Sequence, residues 1–286
     1  MRSPDGHTPV YALLGRPVRH SLSPALHNRW FEELDISGVY VALELPSEPT
    51  IDLAATIREL GLAGVNLTVP FKSLMLDQLD QSHSTVRATG ATNVVVNRDG
   101  ELIGYNTDSG GFAAALTARF GLAMTGKRCA VLGAGGAARA VVVAMLDARA
   151  ATVQVLNRTA TRAQRLASDL SRPAQPVRAQ PLTADIFAHL APSFDLVVNT
   201  TSGPAGPLVN TLNIALLPSH TIWVDLNYWQ AEPPAILACH AHGLAIQTGL
   251  PMLVHQAALA FELFTGHRPD AATALHELTD RRANAR

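Results

Sequence analysis

The stretch VLGAGGAARAVVVAMLDARAATVQVLNRTATR, residues 131–162, decides the fold of this chain. It starts in a short apolar strand, turns sharply at 133–136, continues as a helix-like segment of Ala, Val, Met and Leu, and returns as a second strand at 152–156. A strand, a glycine turn, a helix and a second strand in this order form the repeating unit of open α/β sheets. The stretch therefore predicts a parallel sheet with a ligand site at its glycine turn.

The glycine turn has the spacing G-x-G-x-x-A, with Gly133, Gly135 and Ala138 at the three small positions. The first glycine permits a tight turn, the second lets the backbone approach a pyrophosphate, and Ala138 lets helix and strand pack closely. Gly136, which also lacks a side chain, leaves further space for a ligand at the turn. Free N–H groups and the positive dipole end of the following helix favour phosphates. The turn predicts a Rossmann-type dinucleotide site; a buried strand and helix joined by a glycine-rich turn without a ligand is the alternative.

The end of the second strand indicates which dinucleotide is bound. Where an NAD site usually carries an acidic residue, this chain has Asn157, Arg158 and Thr159, with Arg162 one turn further on. Two guanidinium groups and a hydroxyl suit a 2′-phosphate, so we expect NADP rather than NAD. The alternative is that both arginines are solvated charges, although a cation is mildly unfavourable near a helix N-terminus.

Composition and charge exclude several classes of protein. The 286 residues are 48% hydrophobic and 16% charged, which is typical of one large or two modest globular domains. A formal net charge of −1 without a basic tract argues against nucleic acid as a partner. No stretch has the length of a membrane span or of a signal-peptide core, so we expect a cytoplasmic protein. Cys129 and Cys239 lack metal-site spacing and are expected to be buried apolar residues, and neither G-x-S-x-G nor H-E-x-x-H occurs.

The flanking sequence alternates strands and helices, which predicts two α/β domains. The expected strands are 10–14, 39–45, 64–69, 92–97, 101–105, 196–199, 222–226 and 244–247. The expected helices outside the central stretch are 25–34 with Ser23 as its N-cap, 51–60, 74–79, 110–120, 252–264 and 270–281. Residues 172–184, rich in Pro, Gln and Ala, are expected to be a surface segment.

The last two helices have no following strand to cover, so we expect them to pack back on the first domain. The resulting division is a domain over 1–108 completed by 250–286, and a dinucleotide domain over 109–249, with a cleft between them.

Polar residues cluster where predicted strands end, which is where open α/β sheets bind ligands. Ser21 and Ser23 precede a helix and could hold a small carboxylate at its N-terminus, although Ser23 alone is also explained as a helix cap. Asn66 and Thr68 alternate on one face of an otherwise apolar strand in NLTVPFK (66–72). Lys72 ends this motif and in isolation is more easily read as a solvated charge.

Asp108, in YNTD (105–108), changes the interpretation of Lys72. Asp108 lies where a hairpin gives way to a helix, so it can pair with Lys72, and Asn93 comes before this cluster in the chain. A Lys–Asp pair suits proton transfer during alcohol and ketone interconversion with a nicotinamide. The alternative for Asp108 is a simple N-cap of the helix near residue 110.

Gln256, among apolar helix positions near a chain reversal, could reach a substrate hydroxyl. Its neighbour His255 lies about 100° round the helix and is interpreted as structural.

Together these motifs resemble the shikimate dehydrogenase family, the NADP-dependent reductases of the shikimate pathway of aromatic amino-acid and chorismate biosynthesis. The resemblance covers nearly the whole chain, in family order: SLSP (21–24), NLTVPFK (66–72), GATN (90–93), NTD (106–108), GAGGAA (133–138), NRT (157–159) and the helix start at 252–256.

The resemblance implies an N-terminal substrate domain joined to a Rossmann-type NADP domain, and it implies residue roles. Lys72 and Asp108 would be the catalytic pair for reversible reduction of 3-dehydroshikimate. The two serines and Tyr228 would lie near the substrate carboxylate. The substrate hydroxyls would contact Asn66, Thr68, Asn93, Asp108 and Gln256. The cofactor would contact Gly133, Ala134, Gly135, Gly136, Ala137, Asn157, Arg158, Thr159, Arg162, Thr200, Gly249 and Met252, the last beside the nicotinamide.

Two stretches depart from the family pattern: 199–204, and Pro251 at a common glycine position. Both flank the expected nicotinamide position. The open alternatives are a quinate/shikimate dehydrogenase that also accepts NAD, and a non-catalytic NADP-sensing protein on the same fold. The expected partner is a small-molecule substrate, with a homodimer as a possible assembly and no membrane, nucleic acid or metal.

Overall fold

The chain divides into two compact units. The terminal unit contains Met1–Gly111 and Val254–Arg286, and the central unit contains Phe112–Leu253. The computed structural model describes residues 4–46, 51–121, 124–201, 206–228 and 232–284.

The terminal unit is built on a six-stranded mixed sheet. Its strands are β1 (Val10–Gly15), β2 (Val39–Glu44), β3 (Gly64–Leu67), β4 (Gln81–Ser82), β5 (Val94–Arg98) and β6 (Glu101–Tyr105). Their order in the sheet is β2-β1-β3-β5-β6-β4, with β1 parallel to both β2 and β3, and with β5 antiparallel to β3 and β6. Strands β1 and β3 lie inside the sheet and are almost continuously buried, which explains why both are mainly apolar, with Asn66 of β3 as the polar exception.

Short helices connect these strands. They are α1 (Ser23–Glu33), α2 (Leu53–Glu59), α3 (Phe71–Leu74), α4 (Ser84–Thr89) and α5 (Asp108–Phe120), the last of which leads into the central unit.

The central unit is a six-stranded parallel sheet. Its strands are β7 (Arg128–Leu132), β8 (Thr152–Asn157), β9 (Val177–Pro181), β10 (Leu196–Asn199), β11 (Ile222–Asp225) and β12 (Ala245–Thr248). The intervening helices are α6 (Gly136–Asp147), α7 (Ala160–Leu170), α8 (Ala184–Leu190), α9 (Gly206–Val209) and α10 (Pro234–Ala241). The sheet order β12-β11-β10-β7-β8-β9 places the first strand beside the fourth, as in a doubly wound dinucleotide fold. The predicted Rossmann-type α/β fold is therefore confirmed.

The C-terminal helices α11 (Leu250–Thr265) and α12 (Ala271–Asn284) complete the terminal unit. The ring of Phe261 lies 4.9 Å from that of Phe31 and 5.7 Å from that of Trp30, both on α1. Phe264 packs against Tyr11 of β1. The prediction that these helices pack back on the first domain is confirmed, because 254–286 belong to the same compact unit as the N-terminal sheet and the aromatic residues of α11 contact α1 and β1.

Two predictions about the positions of helices and strands are wrong. Residues 172–184 are not only a surface segment, since Val177–Pro181 forms β9 at the sheet edge. Buried and exposed side chains alternate along β9, and its terminal proline needs no ladder partner at an edge. The helix expected at 74–79 is instead α3 followed by a single 3₁₀ turn at Leu76–Gln78. The Gln78 carboxamide is turned back to accept the N–H groups of Leu53 and Ala54 at the start of α2.

The described part of the chain contains no helix that is both long and apolar enough to cross a membrane. Both cysteines are buried and free, as the sequence predicted.

His27 makes the stability of the terminal unit depend on pH. It is 0% exposed, and neither ring nitrogen has a hydrogen-bond partner among the described residues. Burial lowers the pKa of His27 to about 3. Between that value and about 6.5 the unfolded chain binds more protons, so stability falls as the pH falls. We expect His27 to cost about 2 kcal/mol of unfolding free energy between pH 7 and pH 5.

Denaturant unfolding of the wild type and of His27→Leu at both pH values measures this cost. The leucine variant should lose that part of the pH dependence. Equal pH dependence in the two proteins would show that His27 is protonated without penalty.

Candidate functional site

Lys72 and Asp108 form an ion pair in the terminal unit. Lys72 lies on α3, directly after the end of β3, and its carbonyl accepts the N–H of Thr92. Its Nζ lies 2.5 Å from Oδ2 of Asp108, and the two side chains are 21% and 7% exposed. Helix α5 begins at Asp108, whose own N–H donates to Oδ1 of Asn106. The carboxylate of Asp108 is therefore not a helix cap and faces the ammonium instead.

Asn93 connects this ion pair to α11. Its Nδ2 lies 2.9 Å from Oδ1 of Asp108, 2.9 Å from Oγ1 of Thr107 and 3.2 Å from Oε1 of Gln256. A carboxamide has only two N–H donors, so three acceptors compete for them. The hydroxyl of Thr107 lies 3.4 Å from the same Oε1 of Gln256, so these four side chains form one connected network.

Close packing of α5 against α11 brings Gln256 to Asn93. A Cβ added at Gly111 would come within 2.8 Å of backbone atoms of Gln256, so the two helices can approach this closely only with glycine there. His255, the alternative to Gln256, has its pKa lowered mainly by burial.

Asn66 lies on β3 and is 6% exposed. Its Nδ2 donates to the carbonyl of Asn93 at 3.2 Å, and its Oδ1 accepts the hydroxyl of Tyr40 at 2.8 Å. Thr68 follows β3 and lies over Gly15, where an added Cβ would come within 2.1 Å of its methyl group. Tyr40 could not be identified from the sequence, because a tyrosine in a predicted strand carries no signal beyond ordinary packing.

Ser21 and Ser23 meet at the N-terminus of α1. The helix begins at Ser23 with Leu22 as its N-cap, so the prediction that Ser23 is the cap is wrong. The hydroxyl of Ser21 accepts the N–H of Ser23 at 3.2 Å and lies 3.2 Å from its Oγ. Two hydroxyls at the start of an 11-residue helix suit a carboxylate.

The glycine turn of the central unit has room for a ligand. Gly133 has φ +115°, and a Cβ there would come within 2.4 Å of Oγ1 of Thr200, so the fold itself requires this glycine. Gly135 is different: it has φ −94°, and nothing lies within 4 Å of a Cβ built on it. The fold itself therefore does not require glycine at this position. Gly136 and Ala137, both half-buried, open the 12-residue helix α6, while Ala134 packs against the core.

Two exposed arginines without an ion pair among the described residues follow the end of β8. The Nδ2 of Asn157 donates to the carbonyl of Thr159, whose hydroxyl makes no capping bond at the start of α7. Arg158 and Arg162 are exposed, and their guanidinium groups make no ion pair or hydrogen bond with the rest of the described chain. These residues fit a dinucleotide with a negatively charged group beyond its pyrophosphate.

The carboxyl ends of β10, β11 and β12 are joined by a buried polar network. Asp225 accepts Nδ2 of Asn199 at 2.7 Å and both the N–H and Nδ2 of Asn227. Burial raises the pKa of Asp225, although these hydrogen bonds act to lower it. A Cβ at Gly249 would come within 1.9 Å of the carbonyl oxygen of Leu226, so glycine is required where β12 ends.

Three further predicted residues belong to the central unit. The hydroxyl of Thr200 donates to the carbonyl of Leu132, Met252 is buried in the core, and Tyr228 is half-buried. Their predicted contacts with cofactor or substrate stay predictions. Residues 202–204 of the departing loop lie outside the described residues.

Three protein-family models match the chain. "Shikimate dehydrogenase substrate binding domain" matches residues 13–95, "Shikimate / quinate 5-dehydrogenase" matches 115–231, and "Shikimate 5'-dehydrogenase C-terminal domain" matches 249–278. The first of these ranges contains Lys72 and Asn93, and the second contains the glycine turn at 133–136.

Individual proteins resemble the chain over nearly its whole length. Shikimate dehydrogenase (NADP(+)) of Symbiobacterium thermophilum is 42% identical over 267 residues, which cover 91% of this chain and 90% of that protein. The crystal structure of shikimate 5-dehydrogenase from Thermus thermophilus, in complex with NADP(H) and shikimate, is 38% identical, with a TM-score of 0.81 and coverage of 96% and 100%. Quinate dehydrogenase from Corynebacterium glutamicum, in complex with NAD, is 26% identical, with a TM-score of 0.82 and coverage of 96% and 99%.

Proposed function

The chain belongs to the shikimate dehydrogenase family, and from that premise we propose that it catalyses the reversible NADPH-dependent reduction of 3-dehydroshikimate to shikimate. It is an oxidoreductase that acts on a CH–OH group, and its pathway is that of chorismate and aromatic amino-acid biosynthesis. The observation that carries the proposal is the partly buried Lys72–Asp108 ion pair beside the carboxamides of Asn93 and Gln256.

Lys72 is the acid and base of this reaction. In the direction of reduction its ammonium donates a proton to the substrate oxygen as that oxygen gains negative charge; in oxidation the amine takes the proton back from the hydroxyl. When bound, NADPH supplies the hydride. The carboxylate of Asp108, 2.5 Å from Nζ, holds the ammonium in place before transfer.

The substrate would be held by the polar groups of the terminal unit. Ser21 and Ser23 would bind its carboxylate at the start of α1. The hydroxyls of the ring would contact side chains that combine donors and acceptors, namely Asn66, Thr68, Asn93, Asp108 and Gln256. This arrangement suits a polyhydroxylated ring acid, because each secondary hydroxyl both donates and accepts.

The cofactor would be held by the central unit. The pyrophosphate would meet the N–H groups at the start of α6, where Gly135 leaves the backbone accessible. Arg158 and Arg162 would bind the 2′-phosphate, with the Thr159 hydroxyl beside them.

Arg158→Ala is expected to raise KM for NADP roughly 10-fold, because one charge-assisted contact with the 2′-phosphate is lost. KM for NAD, which lacks that phosphate, should not change. Arg178→Ala, which removes another exposed positive charge, on β9, is the matched control. Equal losses for NADP and NAD would place Arg158 away from the 2′-phosphate.

The decisive assay follows reduced nicotinamide absorbance with shikimate or quinate, each in the presence of NADP or NAD. Fast reduction with shikimate and NADP alone supports the proposed function. Comparable rates with quinate and NAD would favour the quinate-type activity named for the Corynebacterium glutamicum relative. Cofactor binding without turnover of either acid would favour a non-catalytic sensor. The cytoplasmic location and the homodimer stay predictions, and sedimentation velocity tests the second.

A further inference from the structure

We propose that Tyr40 is a positioning residue that orients the carboxamide of Asn66 and thereby sets the affinity for substrate. The inference rests on the proposed function, because it deepens the role of Asn66 as a ligand of a substrate hydroxyl. Its basis is the buried hydrogen bond of 2.8 Å between the hydroxyl of Tyr40 and Oδ1 of Asn66.

The neighbours of Asn66 allow only one orientation of its carboxamide. The carbonyl of Asn93 can only accept a hydrogen bond, so the atom of Asn66 that faces it must be the nitrogen. The oxygen then faces Tyr40, whose hydroxyl donates. A flipped carboxamide would place two oxygens against each other at Asn93.

This orientation fixes what Asn66 can offer to a ligand. One N–H is used by the carbonyl of Asn93 and one lone pair of Oδ1 by the hydroxyl of Tyr40. One N–H and one lone pair remain. A secondary alcohol is both a donor and an acceptor, so it matches the pair of groups that remains.

Tyr40 is itself held firmly, so its hydroxyl can act as a fixed donor. It lies on β2 at the sheet edge and is 1% exposed. Asn28 of α1 accepts the N–H of Tyr40 at 2.8 Å and donates to its carbonyl at 2.8 Å, which satisfies the backbone on the open side of the edge strand. The ring of His27 stacks on the tyrosine ring, with centroids 4.1 Å apart and planes inclined by 12°.

Removing the hydroxyl should affect substrate binding more than turnover. In Tyr40→Phe, the buried Oδ1 of Asn66 loses its partner, and the carboxamide can rotate away from the substrate. We expect KM for shikimate to rise roughly 10-fold, since a lost buried hydrogen bond is of that order. The value of kcat should stay within about twofold, because the reacting atoms are not touched. KM for NADP should not change.

A double-mutant cycle with Asn66→Ala separates positioning from general packing. If Tyr40 acts through Asn66, adding Tyr40→Phe to Asn66→Ala should have little further effect on KM for shikimate. Tyr11→Phe is the matched control, because Tyr11 lies on the neighbouring strand β1, is also buried, and has no side-chain hydrogen bond among the described residues. It should leave KM unchanged.

Calorimetric titration of shikimate into each variant supports the kinetics with a readout that needs no turnover. A rise in KM and Kd for Tyr40→Phe alone, absent in the Asn66→Ala background, supports the inference. Unchanged KM, or an equal rise in both backgrounds, overturns it and leaves the proposed function standing. If the wild type neither oxidises nor binds shikimate, the proposed function is wrong and the inference is overturned with it.

Discussion

Lys72→Met is expected to lower kcat for shikimate oxidation by about 100-fold or more, while KM for shikimate changes much less. Methionine keeps the length of the side chain and removes the proton donor. The substrate oxygen would then develop charge without an acid beside it. Steady-state kinetics with shikimate and NADP measure this change.

Lys127→Met is the matched control, because Lys127 is the other lysine of the chain and lies in the central unit, just before β7. It should keep wild-type kcat. Asp108 would lose its buried partner in Lys72→Met, so circular dichroism must first show that the variant is folded. A folded Lys72→Met enzyme with near-normal kcat would assign the proton transfer to another group.

Gly135→Ala is expected to raise KM for NADP by about 100-fold and to leave the free energy of unfolding almost unchanged. The backbone of Gly135 has φ −94° and ψ −170°, which alanine adopts readily, and the space around the added Cβ is open. The methyl group would therefore cost the fold little. It would occupy the space in which the pyrophosphate meets the N–H groups of α6.

Gly133→Ala is the informative comparison. Its φ of +115° and its contact with Thr200 predict a loss of stability as well as of cofactor binding. Cofactor titration and denaturant unfolding of both variants separate the two effects. Normal NADP binding by Gly135→Ala would mean that the dinucleotide does not approach the turn at this residue.

The central unit could be predicted because its signals are local. The glycines at 133–136 and the absence of an acidic residue after β8 each depend on a few neighbouring residues, and the fold has the predicted type. The edge strand β9 was missed because Pro176 precedes it, Pro181 ends it, and its residues alternate between more and less buried. Its pairing with β8 depends on tertiary structure.

The terminal unit was harder to predict, because its contacts join residues that are far apart in the sequence. The ion pair of Lys72 with Asp108 was anticipated from two polar clusters, although its catalytic role stays a prediction. The hydrogen bond of Tyr40 with Asn66 could not be anticipated, because it joins β2 and β3 across the intervening strand β1. Ser23 has the residue type of a helix cap, yet the hydroxyl of Ser21 takes the N–H that needs a partner.

The interleaving of the two units has a consequence for the order of synthesis. The central unit is one continuous segment, so the ribosome releases all of its core residues before residues 254–286 appear. The aromatic core of the terminal unit needs Phe261, which is made more than 200 residues after its neighbours Trp30 and Phe31. The terminal unit, whose first residues are made before the central unit, therefore completes its core after the central unit. Until then the nascent chain carries an uncovered apolar sheet that a chaperone can bind.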